Sequence, residues 1–108
     1  MMRACGTVYL GKTAPLATTA ADGTFALTLL AFDRIGAHKV EPWRITYTGL
    51  GAQLWWACYR AELTPGQPIN VELEHLRTFT YGRGGTPEVH AQVTRITLAP
   101  KAAHVTPR

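Results

Sequence analysis

WRITYTGLGAQLWWACYRAELTPG, residues 43–66, changes its hydrophobic period part-way along. Trp43, Ile45 and Tyr47 alternate with Arg44, Thr46 and Thr48, the two-residue period of a strand with one apolar face. Gly49 ends that strand. From Leu50 onward Leu50, Leu54, Cys58 and Ala61 follow near-helical spacing, which predicts a helix over 50–63 with those four residues toward the core. Trp55 and Trp56 project about 100° apart on such a helix, one expected inside and the other partly so. Pro65-Gly66 then turns the chain. No other segment reads convincingly as helix.

Working outward, the flanks are strands. Upstream, Arg3–Leu10 carries the strand formers Thr7, Val8, Tyr9 and Leu10, with Gly6 predicting a bulge or a close approach. Pro15 predicts that the following segment is irregular or at an edge. Asp22-Gly23 is a turn signal feeding Thr24–Leu30, in which Phe25, Leu27 and Leu29 share the face assigned to the core. Asp33–Pro42 reads as a loop. Downstream, Ile69–Tyr81 is long for a strand: Ile69, Val71 and Leu73 are odd-numbered, but the next apolar residue is Leu76, a change of parity that predicts a β-bulge. Residues 82–85 (Gly-Arg-Gly-Gly) read as a hairpin tip, Glu88–Leu98 as the last strand and 100–108 as a basic, disordered tail. Three strands, one helix and two bent strands predict an all-β fold with one helix: a five-stranded Greek-key barrel of the OB type, spanning residues 1–99.

Composition sets the class. With 108 residues, 46% hydrophobic and 17% charged, the chain is a single globular domain. A core this small makes oligomerisation a natural source of further burial. The net charge is +4, and eight of the eleven basic residues are arginine, the cation suited to bidentate contacts with phosphates and to stacking on bases. A basic soluble protein without such a partner fits the same numbers. Cys5 and Cys58 match neither a zinc nor a redox motif and read as small buried hydrophobes. No apolar run is long enough to span a membrane, and the first residues lack the apolar core of a signal peptide, so a cytoplasmic location is expected.

Catalytic patterns are missing. Glu72 and Glu74 alternate with Asn70 as a solvated strand face. His38, His75, His90 and His104 have no metal-ligand spacing, although His75 and His90 could meet across a ladder. No phosphate-binding glycine loop and no nucleophile elbow occurs. The expectation is a protein that is not an enzyme and holds no cofactor or metal. What stands out is a set of cations and aromatics. Arg77, Phe79, Tyr81 and Arg83 occupy every second position into the hairpin tip, hence one face of an extended chain. Arg34 and Lys39 lie in the preceding loop, with Arg44 beside them on the polar face of its strand. Trp43 shares a face with Ile45 and Tyr47, and Phe79 taken alone reads more readily as core. A positive groove with exposed rings is what unstacked, single-stranded nucleic acid requires.

Residues 41–49 (Glu-Pro-Trp-Arg-Ile-Thr-Tyr-Thr-Gly) resemble the central strand of bacterial single-stranded DNA-binding (SSB) proteins. Pro65–Val71 with Leu76-Arg77-Thr78 is similar to that family's turn and long fourth strand, Glu88–Leu98 to its last strand, and Ala14–Gly23 to its first loop. The resemblance spans about Arg3–Leu98. It implies an OB-fold that binds single-stranded DNA without sequence preference, as a homodimer or homotetramer, in replication, repair or mobile-element maintenance. It also implies a stacking role for Tyr81 and phosphate contacts from Arg44 and Arg77. Trp43 is one residue out of register with the family's tryptophan, and Thr48 stands where the family has a stacking Phe, so a smaller stacking surface is expected. The basic residues 101–108 are unlike the acidic tail with which genomic members recruit proteins. Gly6-Thr7-Val8 and Val89-His90-Ala91 are also similar to the primosomal replication protein PriB, which implies the alternative of a primosome component that binds DNA and a helicase. Replication or transfer proteins are the protein partners expected. A protein–protein adaptor on the same barrel is the reading from a different class.

Overall fold

The computed structural model describes residues 2–36, 39–80 and 87–100. In chain order the elements are β1 (Arg3–Leu10), β2 (Leu16–Thr19), β3 (Phe25–Gly36), β4 (Lys39–Thr48), α1 (Leu50–Tyr59), a 3₁₀ turn (Arg60–Glu62), β5 (Pro68–Phe79) and β6 (Glu88–Leu98). The sheet runs β1-β5-β6-β4-β3-β2, and β1 pairs again with β3. That second pairing, Tyr9 with Phe32 and Leu10 with Ala31, closes β1, β5, β6, β4 and β3 into the expected five-stranded barrel. β4 and β6 run parallel, with Arg44 opposite His90 and Thr46 opposite Gln92. α1 and β5 form the connection that parallel strands require.

The core is the inward half of each strand. Leu27, Ile45 and Ile69 are fully buried, and Leu29, Val71 and Leu73 nearly so. The parity change in β5 is a real bulge: the register passes from Glu74–Gln92 to Arg77–His90, one residue more on β5 than on β6. His75 takes φ 55° there, which lets Leu73 and Leu76 both pack inward. β6 answers with its own shift, from Leu73–Val93 to Glu72–Arg95, so that Val93 and Ile96 are both buried.

Several expectations are narrowed or changed. Residues 16–19 form a strand at the sheet edge, the second of the two outcomes that Pro15 allowed. They hydrogen-bond to β3 through a hairpin in which Gly23 has φ 90° and the Asp22 carboxylate accepts from the Thr24 amide at 2.9 Å. Asp33–Pro42 is mostly strand: β3 and β4 stay paired out to Gly36 and Lys39, with an irregularity between Arg34 and Gly36. Gly6 stands in regular register opposite Val71, without a bulge.

The helix is rotated from the predicted face and ends at Tyr59. Leu50 and Leu54 are 70% and 59% exposed, and Cys58 and Ala61 are exposed too. The buried side instead runs through Ala52, Trp55 and Trp56, with Leu63 beyond the helix. Ala52, Trp55, Trp56 and Tyr59 are themselves spaced i, i+3, i+4, i+7, and their rings bury more area than two leucines. Trp55 meets Tyr47 edge-on at 6.5 Å and Tyr59 at 5.4 Å. Both tryptophans are half-buried, rather than one inside and the other partly so. Both thiols, expected inside, are exposed.

Gly49 sets the helix entry. Its amide donates to the Phe25 carbonyl at 2.9 Å, and it sits at φ 98°, ψ −172°, a region essentially closed to residues with a Cβ. A Cβ there would meet no neighbour, so the cost of Gly49→Ala is backbone strain alone. The variant is expected to lose about 1 kcal/mol or more, read as a lower urea midpoint at unchanged slope.

Candidate nucleic-acid interface

Strand alternation puts one set of side chains outside the barrel on β4, β6 and β5. Arg44 lies opposite His90 across the parallel pair, and Arg77 lies opposite the same His90 across the antiparallel one. His90 thus stands between two arginines. One step along, Phe79 faces Glu88 on β6, and on the far side Thr46 faces Gln92. Together with His75 and Ala91 these residues, Glu88 excepted, line an open cleft of about 410 Å³.

The Phe79 ring lies 4.2 Å from the His90 ring, tilted by 39°. Phe79 is 39% exposed, which decides between the two readings its sequence position left open: it is surface, not core. Glu88 ties the cleft together. Its Oε1 accepts from Arg44 Nε at 3.1 Å and lies 2.8 Å from His90 Nε2. Partial burial by itself raises the Glu88 pKa, but the hydrogen bonds and charges of Arg44 and His90 outweigh it and hold the carboxyl below its ordinary value. A depressed carboxylate stabilises the fold above its unfolded-state pKa, and that contribution disappears as pH falls through the lower folded-state value. Glu88→Gln is therefore expected to flatten the acid limb of the stability profile below about pH 4.5. Thermal melts across pH 2.5–6 measure this, and parallel wild-type and variant profiles would exclude it.

The cleft brings together three of the residues singled out from the sequence: Arg44, Arg77 and Phe79. Trp43 points to the other side of β4. It packs against the core cluster, and its indole N–H donates to Glu41 Oε1 at 3.1 Å. Arg34 and Lys39 belong by their backbones to the far ends of β3 and β4, with side chains outside the described set, and Tyr81 and Arg83 lie outside the described residues. His75 and His90 do line one cleft, but each approaches a different carboxylate, Glu74 at 3.6 Å and Glu88 at 2.8 Å. Among the described residues no cluster of three potential ligands could hold a metal.

Two features escape the sequence. Glu88 and His90 acquire meaning only through pairings with β4 and β5. The same holds for Tyr9 and Phe32, whose rings stack at 5.8 Å with 29° between planes. Phe32 lies two residues from Leu30, which pairs with Arg44, so this second aromatic pair continues the same outer face toward β1. The alternation of Glu88, His90 and Gln92 was the available signal on β6.

The comparisons with known proteins bear on the fold. No family model matches the chain, and no curated protein matches it in sequence. Solved structures do. The mitochondrial single-stranded DNA-binding protein of S. cerevisiae superposes with a TM-score of 0.65 at 14% identity, over 93% of this chain and 95% of that one. The SSB domain of a Synechococcus protein gives 0.62 at 18% identity, over 89% and 93%. This chain has the OB fold of the SSB proteins. A small single-stranded DNA-binding protein from Streptomyces coelicolor has it as well, with a TM-score of 0.59 at 15% identity over 91% and 94% of the two chains. SSB-like topology accounts for the parallel β4–β6 pair, for the helix between β4 and β5 and for the barrel closure at β1. β2 is an edge strand attached to that barrel by its hairpin. Among the described residues no helix is long and apolar enough to cross a membrane.

Proposed function

We propose that the protein binds single-stranded DNA without sequence preference along the outer surface of β4, β6 and β5. One observation carries this reading: an exposed Phe79 lies against His90, with an arginine on either side of that histidine, in one open cleft. The rings offer a stacking platform to any base, and Arg44 and Arg77 meet the phosphates on either side. Arg34, Lys39 and Arg83 are proposed as further phosphate contacts, with Tyr81 as a second stacking platform. Trp43, on the inner face of β4, packs against the core and anchors the strand that carries Arg44. The SSB-like fold supports the same ligand, and the proposal includes a place in DNA replication, repair or mobile-element maintenance, as a homo-oligomer. A primosome component that also binds a helicase stays within the same reading.

Titration of the intrinsic tryptophan and tyrosine fluorescence with oligo-dT, at low and at moderate salt and against a duplex control, tests it. Quenching should saturate, weaken as salt rises and be absent with duplex. No binding at low salt would remove the reading. Neutralising one phosphate fewer should make the slope of log affinity against log salt shallower by about 0.7. Arg77→Ala is expected to show that reduction, and an unchanged slope would place Arg77 off the path.

A protein–protein adaptor is favoured by one observation, the uncharged helix face bearing the exposed Leu50 and Leu54. Such an adaptor would show no salt-dependent affinity for oligo-dT.

A further inference from the structure

Glu88 sits where Arg44 and His90 converge. A single carboxylate oxygen receives Arg44 Nε at 3.1 Å and lies 2.8 Å from His90 Nε2. A phosphate oxygen has the same charge sign and the same preference for a guanidinium, so it competes for the same place. The carboxylate is the deeper of the pair, at 19% side-chain exposure against 39% for Arg44. The cation therefore stays reachable from solvent while the acid lies beneath it. The groups around Glu88 are Arg44 on β4, His90 on its own strand and Phe79 opposite on β5, with Arg77 and His75 further along the cleft. Of the other acids on these strands, Glu74 approaches His75 at 3.6 Å and Glu41 accepts from Trp43.

We propose, building on the single-stranded DNA reading, that Glu88 limits the phosphate affinity of this surface by acting as an internal anion on Arg44 and His90. A nucleic-acid phosphate must share Arg44 with this carboxylate or displace it. The ion pair uses only Nε of the guanidinium, so sharing through the terminal nitrogens leaves a phosphate facing a half-neutralised cation. Arg77, which has no ion pair among the described residues, meets phosphate at full charge. The two arginines beside His90 are thus unequal, and Glu88 makes them so.

Glu88→Gln keeps the side-chain shape and an acceptor oxygen but removes the charge. It is expected to bind oligo-dT about three- to tenfold more tightly than wild type, with a salt slope steeper by up to about 0.7. Its affinity for an uncharged methylphosphonate oligo-dT should be unchanged. Arg44→Gln should cost more affinity in the Glu88→Gln background than in wild type. Where the wild type binds oligo-dT, equal or weaker binding by Glu88→Gln, or equal cost of Arg44→Gln in both backgrounds, overturns the proposal. Inorganic tripolyphosphate, followed through the Arg44 Nε–H resonance, separates this inference from the reading beneath it. If neither protein binds oligo-dT but only the variant takes up tripolyphosphate, the DNA reading fails and the role of Glu88 stands. If both respond to tripolyphosphate alike, the role of Glu88 fails.

Discussion

Ile45→Ala is expected to lower the free energy of unfolding by about 2–5 kcal/mol. Ile45 has no exposed surface and lies mid-way along β4, opposite Leu29 on β3 and Ala91 on β6. Both neighbouring strands are held by backbone ladders, so the wall cannot move in to fill the void, and Ala91 is too small to do it. The loss belongs toward the upper part of the range for that reason. A domain of this size has only about 5–15 kcal/mol in total, so the melting temperature should fall by roughly 10 °C or more. Where the alanine variant does not fold, Ile45→Val supplies a graded step of about 0.5–1.5 kcal/mol. Leu54→Ala is the contrast: the same class of side chain, 59% exposed on α1, should change stability by no more than about 0.5 kcal/mol. Chemical unfolding followed by circular dichroism measures all three. A large loss at Leu54 with little at Ile45 would mean that the helix face, not the barrel interior, carries the fold.

Phe79→Ala is expected to weaken oligo-dT binding by about 1–3 kcal/mol, from roughly fivefold to more than a hundredfold. Phe79 ends β5 and is substantially exposed, so the melt should hardly change and the loss can be assigned to binding. Removing the ring also leaves His90 without its stacking neighbour while its approach to Glu88 remains. Phe79→Trp should retain affinity, since any large ring serves. Anisotropy of a labelled oligo-dT reads the affinity without depending on the protein's own tryptophans. An alanine variant that binds like wild type would move the stacking platform to Tyr81 or to the Tyr9–Phe32 pair.

The barrel was legible wherever a strand has one wet and one dry face. Phe25, Leu27 and Leu29 read correctly by alternation, as did the β5 bulge from the parity of Leu76. β2 has no dry face: three of its four residues are exposed, so nothing periodic marks it and only pairing with β3 makes it a strand. The outer part of the β3–β4 hairpin carries Asp33, Arg34, Lys39 and Pro42, a loop-like composition overridden by a ladder continuing from the barrel. The helix face was not legible because two apolar stripes compete on α1, and sequence does not say that aromatic bulk selects Trp55 and Trp56 over Leu50 and Leu54. At the candidate site, Arg44 and Arg77 were legible because each sits on the outward parity of its own strand, whereas Phe79, which taken alone reads as core, is placed on the surface only by the fold. Glu88, His90 and the Tyr9–Phe32 pair were not, because their neighbours come from remote strands.

The closure of the barrel at β1 also orders events during synthesis. Arg3 pairs with Glu74 and Val8 with Ile69, so the first strand made finds its long ladder only after a further sixty to seventy residues or so have been added. Until β5 leaves the ribosome, β1 has at most the two-residue seam with β3. Loop closure over that span is slow, and an unpaired strand edge is open to the wrong partner while it waits. The nascent chain therefore holds a β2–β3–β4 meander first and becomes a barrel late. In pulse-labelled hydrogen exchange on refolding, the β1 amides should be the last to gain protection, well after those of β3 and β4.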